Sequence, residues 1–198
     1  MEIYLIRHTT PAVERGVCYG QADIDVIESF HSEAALIRTH IPASISHIHS
    51  SPLQRCRKLA EYLFPEQDVV YHDALKEINC GDWELMKWDD IAKEQIQPWM
   101  EDFVNVRIPN GENYVQLYER TAALFDSLQD SSPLAIVTHG GVMRSILSHI
   151  THTDLKDSFG AFSLHYGCVV RITKQGAGFQ HEVLHNIKPD ERETHKPG

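Results

Sequence analysis

The chain has few cysteines, little positive charge and no long hydrophobic run, and each shortage narrows its function. Among 198 residues, 18 lysines and arginines face 28 aspartates and glutamates, a formal charge of −10 with histidine neutral. Nucleic-acid binding normally needs a basic face, so nucleic acid is not expected as a partner. A small anionic substrate stays open, but its pocket must be built from a few local cations against a repulsive background. No stretch approaches the roughly 18 consecutive apolar residues of a membrane-spanning helix, so no membrane partner is expected. The opening Met1-Glu2-Ile3-Tyr4-Leu5-Ile6 has no basic segment and no small-residue cleavage site, which reads as no signal peptide and a cytoplasmic protein. Cys18, Cys56, Cys80 and Cys168 are scattered without a C-x-x-C pair; they read as free thiols in a reducing compartment, not as a disulfide framework or a zinc site. Internal repeats, low-complexity tracts, a Walker loop and a serine or cysteine nucleophile elbow are also missing.

What is present is a globular composition, 42% hydrophobic and 23% charged, long enough for one well-buried core. Ile3–Ile6 and Leu134–Val137 are short continuous apolar runs that suit strands buried on both faces, and Ser44–His49 is a weaker third. Helical spacing joins Phe30, Ala34, Ile37 and Ile41, then Leu53, Cys56, Leu59, Ala60, Leu63 and Phe64. It is clearest in Tyr114, Leu117, Tyr118, Thr121, Leu124, Phe125 and Leu128, and Val142–Ile150 gives a further helix. Val169–Thr173 and Phe179–Leu184, around Gly176-Ala177-Gly178, read as a hairpin. Strands alternating with helices predict an α/β fold with a mostly parallel sheet covered on both faces. Residues 1–187 read as a single domain. Residues 86–110 read as an insertion over the sheet edge, and 188–198 as a flexible charged tail.

In an open α/β sheet, ligands bind beyond the carboxyl ends of the strands. Arg7 and His8 follow the first strand, Ser50, Ser51, Pro52 and then Arg55 follow the second, and Thr138, His139, Gly140 and Gly141 follow the third. Taken singly, most of these have ordinary explanations. His8 suits a strand-end core histidine, Arg55 a solvated arginine beside Arg57 and Lys58, and His139-Gly140-Gly141 a tight turn. Arg7 does not, because an arginine directly after four apolar strand residues is costly to bury unpaired. Ser51-Pro52-Leu53-Gln54 reads as a capping box that starts a helix, so Arg55 sits in its first turn, where the dipole disfavours a cation unless an anion binds there. Glu77, in a loop with Ile78, Cys80 and Trp83, is a candidate acid; spacing leaves Asp82 and Glu84 as competitors. Two arginines, two histidines and a carboxylate point to phosphoryl transfer through histidine. A neutral imidazole is nucleophilic, and guanidinium groups clamp phosphate oxygens in pairs.

These segments resemble the histidine phosphatase superfamily, also called phosphoglycerate mutase-like. Leu5-Ile6-Arg7-His8-Thr9 is similar to its Arg-His-Gly signature, with Thr9 at the glycine. Ser50-Ser51-Pro52-Leu53-Gln54-Arg55-Cys56 resembles its second-arginine segment, Glu77 through Gly81-Asp82-Trp83-Glu84 its acid loop, and Val137-Thr138-His139-Gly140-Gly141 its second-histidine motif. Three pieces resemble the alpha-ribazole phosphatase branch: Gly16 to Asp23, Gly81 to Leu85, and Ile108 to Tyr114. The segment Ile27 to Ala35 departs from the usual pattern before the first helix. The resemblance implies a three-layer α/β/α sandwich with a helical cap and no cofactor or metal. His8 would attack phosphorus, Arg7, Arg55 and His139 would hold the phosphoryl oxygens, and Glu77 would act as acid and base. It also puts Tyr19, Gly20, Gln21 and Gly140 at the substrate, a small phosphorylated metabolite. A broad sugar-phosphate phosphatase and a phosphoglycerate mutase are close alternatives. A divalent-metal protein, using His47-Ile48-His49 or His149, His152 and Asp154, is the alternative from another class. Tyr19, Trp83, Trp88 and Trp99 suit either an aromatic aglycone or core packing. Oligomeric state, a homodimer included, is left open.

Overall fold

Period-two alternation decides which way each central strand faces. In β1 (Glu2–Arg7), Ile3 and Leu5 turn to one side of the sheet and Tyr4 and Ile6 to the other, all four buried. β4 (Leu134–Thr138) repeats the pattern. Leu134 and Ile136 join the first side, Ala135 and Val137 the second. A strand apolar on both faces needs cover on both. The first face packs against α4 (Tyr114–Ser127) and α5 (Gly140–Thr151), through Leu117, Phe125, Met143 and Ile146. The second packs against α1 (Phe30–Arg38) and α2 (Gln54–Leu63), through Phe30, Ile37, Leu59 and Leu63. The result is the three-layer α/β/α sandwich that the alternation and the resemblance imply. The computed structural model describes residues 2–128, 133–176 and 178–188.

The sheet also contains β2 (His47–Ser50), β3 (Val69–Tyr71), β5 (Val169–Gln175) and β6 (Gly178–His185), in the order β3-β2-β4-β1-β5-β6. The first four in that order run parallel, and β5 and β6 run antiparallel at the other end. The central neighbours β2, β4 and β1 therefore end at the same edge. Ser50 pairs with Val137, and Thr138 with Arg7. Parallel neighbours lie about 4.8 Å apart, so Ser51, His139 and His8 start their loops side by side.

Several local expectations are corrected. The third strand starts at His47, later than Ser44, although Ile45 ahead of it is buried. β3 was not read from the sequence. It is three residues long at an edge, with Val70 and Tyr71 exposed. The short α6 (Ser158–Ala161) was also missed. Ser51-Pro52-Leu53-Gln54 is not a capping box: the helix starts at Gln54 and Leu53 occupies the cap. Its first amide, on Gln54, instead donates to Asp23 Oδ1 at 2.7 Å. The real capping box is at α4, where Asn113 accepts from the Gln116 amide at 2.9 Å and Gln116 accepts from the Asn113 amide at 3.1 Å.

Within 86–110 lies α3 (Lys93–Glu101), with Pro98 inside it. Ile91 and Ile108 are buried with Cys18, Cys80 and Trp83, and Met86, Trp88, Ile96 and Trp99 pack onto them. The segment therefore packs beside the loops after β1 and β3. Of the tail, 189–198 lies outside the described residues, as does Ala177 in the hairpin turn.

Candidate active site

The backbone at His8 is fixed from both sides. Its amide donates to Thr138 O at 3.0 Å, and its carbonyl accepts from Gly167 N at 3.0 Å. The ring is buried, and Nδ1 lies 2.7 Å from Thr9 O. A carbonyl only accepts, so Nδ1 carries the proton and Nε2 keeps its lone pair. Burial first, then Arg55 and Arg7, hold His8 well below its usual protonation range. His139 is fully buried and is pushed down in the same way, by burial, Arg55, His8 and Arg7. The two rings meet edge to face with centroids 5.1 Å apart. His139 Nε2 is 2.8 Å from Ser51 Oγ, so this serine, which also accepts from the Leu53 amide at 3.3 Å, holds a site ring.

Arg55 is fully buried in the first turn of α2. It donates to Ala22 O at 2.9 Å and to Gly20 O at 2.6 Å, while its Nε has no partner among the described residues. Arg7 donates through Nη1 to Leu164 O, and its Nε is likewise unpartnered. Buried guanidinium N–H groups without acceptors are costly, and an anion between them removes the cost. Two tyrosines form a wall. Tyr166 lies under Arg7 at 4.3 Å, Tyr19 under Arg55 at 5.4 Å, and their hydroxyls are 2.5 Å apart.

The carboxylates separate cleanly. Glu77 accepts from Gly141 N at 3.0 Å through Oε2 and from Ile78 N at 3.0 Å through Oε1, which puts it at the start of α5 next to His139. Glu84 is a brace: it accepts from the amides of Gly20, Gln21, Ala22 and Cys80 at 2.7–3.1 Å. Asp82 accepts from the Asn110 side chain at 3.0 Å. Gly20 cannot be replaced freely, because a Cβ there would overlap Ile78 O. The Gln21 side chain donates to Glu77 O at 3.1 Å, so Gly20 and Gln21 tie Arg55 and Glu77 into one frame.

Sequence reasoning missed Tyr166 and Arg120. Arg120 donates to Ala74 O, Lys76 O and Glu77 O at 2.7–2.9 Å and pairs with Glu112 at 2.9 Å, clamping the acid loop. The available signal was an arginine three residues after Leu117, bordering an apolar stripe. Nothing near Tyr166 in sequence singles it out. Trp83 is buried, and Trp88 and Trp99 stack at 5.7 Å beside it, so core packing accounts for these three. Two of the histidines of the metal alternative have partners of their own. His49 Nδ1 is 2.9 Å from His72 Nε2, and His149 lies between Tyr118 Oη at 3.1 Å and Asp126 at 3.0 Å.

A buried neutral histidine facing a second one, between two half-partnered arginines and beside a carboxylate at a helix start, is an arrangement suited to phosphoryl chemistry. The family model of the histidine phosphatase superfamily, branch 1, matches residues 3–187. The chain belongs to that superfamily. It is an enzyme of the histidine phosphatase type. A probable phosphoglycerate mutase, GpmB, of Escherichia coli is 31% identical over 163 residues, covering 76% of this chain and 74% of that one. Among solved structures, the alpha-ribazole phosphatase of Shigella flexneri superposes with a TM-score of 0.84 at 22% identity, covering 96% of this chain and all of that one. A mycobacterial glucosyl-3-phosphoglycerate phosphatase gives 0.79 at 18% identity, covering 92% of this chain and 96% of that one. At such identities the structural neighbours show a shared fold. This histidine phosphatase differs at the signature by carrying Thr9, which is fully buried. Among its described residues, no helix is long and apolar enough to cross a membrane.

Proposed function

We propose that the chain is a metal-independent phosphomonoesterase that works through a phosphohistidine at His8, with alpha-ribazole 5′-phosphate as its substrate and cobalamin biosynthesis in the cytoplasm as its setting. The observation that supports the mechanism most is the His8 Nδ1 bond to Thr9 O, which leaves Nε2 as the free lone pair. Nε2 attacks phosphorus and the P–O ester bond breaks. Glu77 gives its proton to the departing alkoxide, while Arg7, Arg55 and His139 hold the equatorial oxygens. Water then attacks phosphorus, Glu77 takes its proton back, and the P–N bond breaks to release phosphate and neutral His8.

The named substrate leans on the sequence pieces of Gly16 to Asp23 and Ile108 to Tyr114 and on the alpha-ribazole phosphatase neighbour. The curated relative favours a second reading, a phosphoglycerate mutase. NMR of a phosphoglycerate sample separates the two: release of inorganic phosphate supports the first, net interconversion of the isomers the second.

The purified protein is expected to hydrolyse p-nitrophenyl phosphate in excess EDTA. His8→Ala should lower kcat by about a thousandfold or more and remove an acid-labile, base-stable phosphoenzyme. Activity lost on chelation and restored by zinc, or near-normal turnover in His8→Ala, would overturn the mechanism.

A further inference from the structure

Holding two arginines at one phosphoryl group means fixing like charges on flexible stems. The guanidinium groups repel each other, and each side chain gives up rotamer freedom when it is held. Backbone carbonyls do part of this. Leu164 O takes one N–H of Arg7, and Gly20 O and Ala22 O take N–H groups of Arg55. A carbonyl sets where an N–H points but leaves the guanidinium plane free to tilt. Paired N–H groups meet phosphate oxygens only at the right tilt.

The tilt is set by two tyrosine rings. Arg7 Cζ lies 4.3 Å from the centroid of Tyr166, and Arg55 Cζ lies 5.4 Å from that of Tyr19. Each tyrosine is next in sequence to backbone that already holds its arginine. Gly20, after Tyr19, supplies the carbonyl that accepts from Arg55 at 2.6 Å. Gly167, after Tyr166, donates to His8 O at 3.0 Å, and Cys168 O accepts from the Arg7 amide at 2.9 Å. Gly167 has φ +72°, in the left-handed region, so the chain turns there directly after the ring. The Tyr166 ring also lies 5.5 Å from the His8 ring, tilted by 40°. It therefore packs against both residues at the end of β1.

The two clamps are joined at one point. Tyr19 and Tyr166 are 147 positions apart in the chain, and their hydroxyls are 2.5 Å apart, one donating to the other. Contacts therefore run from Arg55 to Tyr19, to Tyr166 and to Arg7. The spacing of the two guanidinium planes is set through two rigid rings rather than through two flexible stems. The proposed mechanism uses both arginines and gives Tyr166 no role.

We infer that Tyr166 is a positioning residue, which with Tyr19 forms a strut that presets Arg7 and Arg55 for one phosphoryl group. This rests on the phosphomonoesterase reading and deepens it. The strut acts through the arginines and moves no proton to or from the ester. Its effect falls on the phosphoryl group, whatever alcohol that group carries.

Inorganic phosphate is the probe, with its Kd read by calorimetry and turnover read on p-nitrophenyl phosphate. Tyr166→Phe and Tyr19→Phe keep the rings and remove the hydroxyl contact. Each is expected to raise the phosphate Kd by about threefold to tenfold. The double variant removes no further contact, so it should bind phosphate no more weakly than the weaker single variant. Tyr166→Leu also removes the ring under Arg7 and should raise Kd by about tenfold or more. KM should rise with Kd in these variants while kcat falls by less. Effects that multiply in the double variant, or an unchanged Kd in Tyr166→Phe or in Tyr166→Leu, overturn the inference, even where the urea midpoint falls. Ester hydrolysis by the unmodified protein would then still uphold the phosphatase reading. Phosphate bound with the expected non-additivity, but no ester hydrolysed, keeps the strut and strikes that reading. No phosphate bound and no ester hydrolysed strikes both.

Discussion

At Gly141 the absence of a side chain decides where Glu77, the proposed acid, sits. A Cβ there would overlap Glu77 Oε1 and come within 3.0 Å of Leu117 Cδ2, while the Gly141 amide holds Glu77 Oε2. Gly141→Ala is therefore expected to fold, at a cost of about 1–3 kcal/mol from overpacking, but to push the carboxyl away from the leaving group. p-Nitrophenolate departs without a proton and an alkoxide does not. Gly141→Ala and Glu77→Gln should both slow alkyl phosphates more than p-nitrophenyl phosphate. Steady-state kcat for the two ester types measures this, and equal losses would remove the acid role from Glu77. Arg7 was legible in the sequence because an arginine after four apolar strand residues has no cheap burial, and His139 because two glycines follow it at a strand end. Ser51 was read only in part, since its hydroxyl does accept locally from the Leu53 amide at 3.3 Å, whereas its shorter contact, to His139, reaches a residue 88 positions away.

The loop from Tyr19 to Ala22 has no regular structure of its own. It is shaped by Glu84, whose two oxygens take four backbone amides, and it presents the Gly20 and Ala22 carbonyls to Arg55. Glu84→Ala leaves those donors unsatisfied, and the expected cost is about 2–4 kcal/mol, read as a lower urea midpoint. Arg55 loses its fixed acceptors as well, so KM for phosphate esters should rise more than kcat falls. A variant with wild-type stability and KM would show that the loop holds itself. Elements with strong periodicity, such as α4 and β1, could be read directly. α3 could not, because Pro98 and the spacing of Trp88, Ile91, Ile96 and Trp99 follow no single helical stripe; those residues pack on loops, not on a sheet. β3 escaped because three residues with one half-buried side chain carry too little pattern.

Taken as a whole, the molecule buries histidines in neutral form, and this sets how it responds to acid. Burial and the neighbouring arginines hold His8 and His139 well below the ordinary value of 6.5, and burial takes His49 to about 4. His72 and His185 are lowered as well, chiefly by burial. In the unfolded chain these rings titrate near 6.5. Below that pH the unfolded state binds protons that the folded state refuses, so stability falls as pH falls; above it, these groups contribute no slope. Each fully buried ring adds a slope of about 1.4 kcal/mol per pH unit until its folded value is reached. The urea midpoint is therefore expected to be nearly flat from pH 8 to 7 and to fall steadily from about pH 6.5 to 5, before most carboxylates titrate. His8→Gln removes one ring and should make that decline shallower by one proton's slope. The proposed nucleophile behaves differently over the same interval. His8 is already neutral at pH 7 and stays so at pH 6, so kcat/KM of the folded protein should show no acid limb from its protonation in that range. A midpoint that does not move between pH 7 and 5, or that moves equally in His8→Gln, would mean that the buried rings carry protons in the folded state, and the lone pair on which the chemistry depends would then be absent.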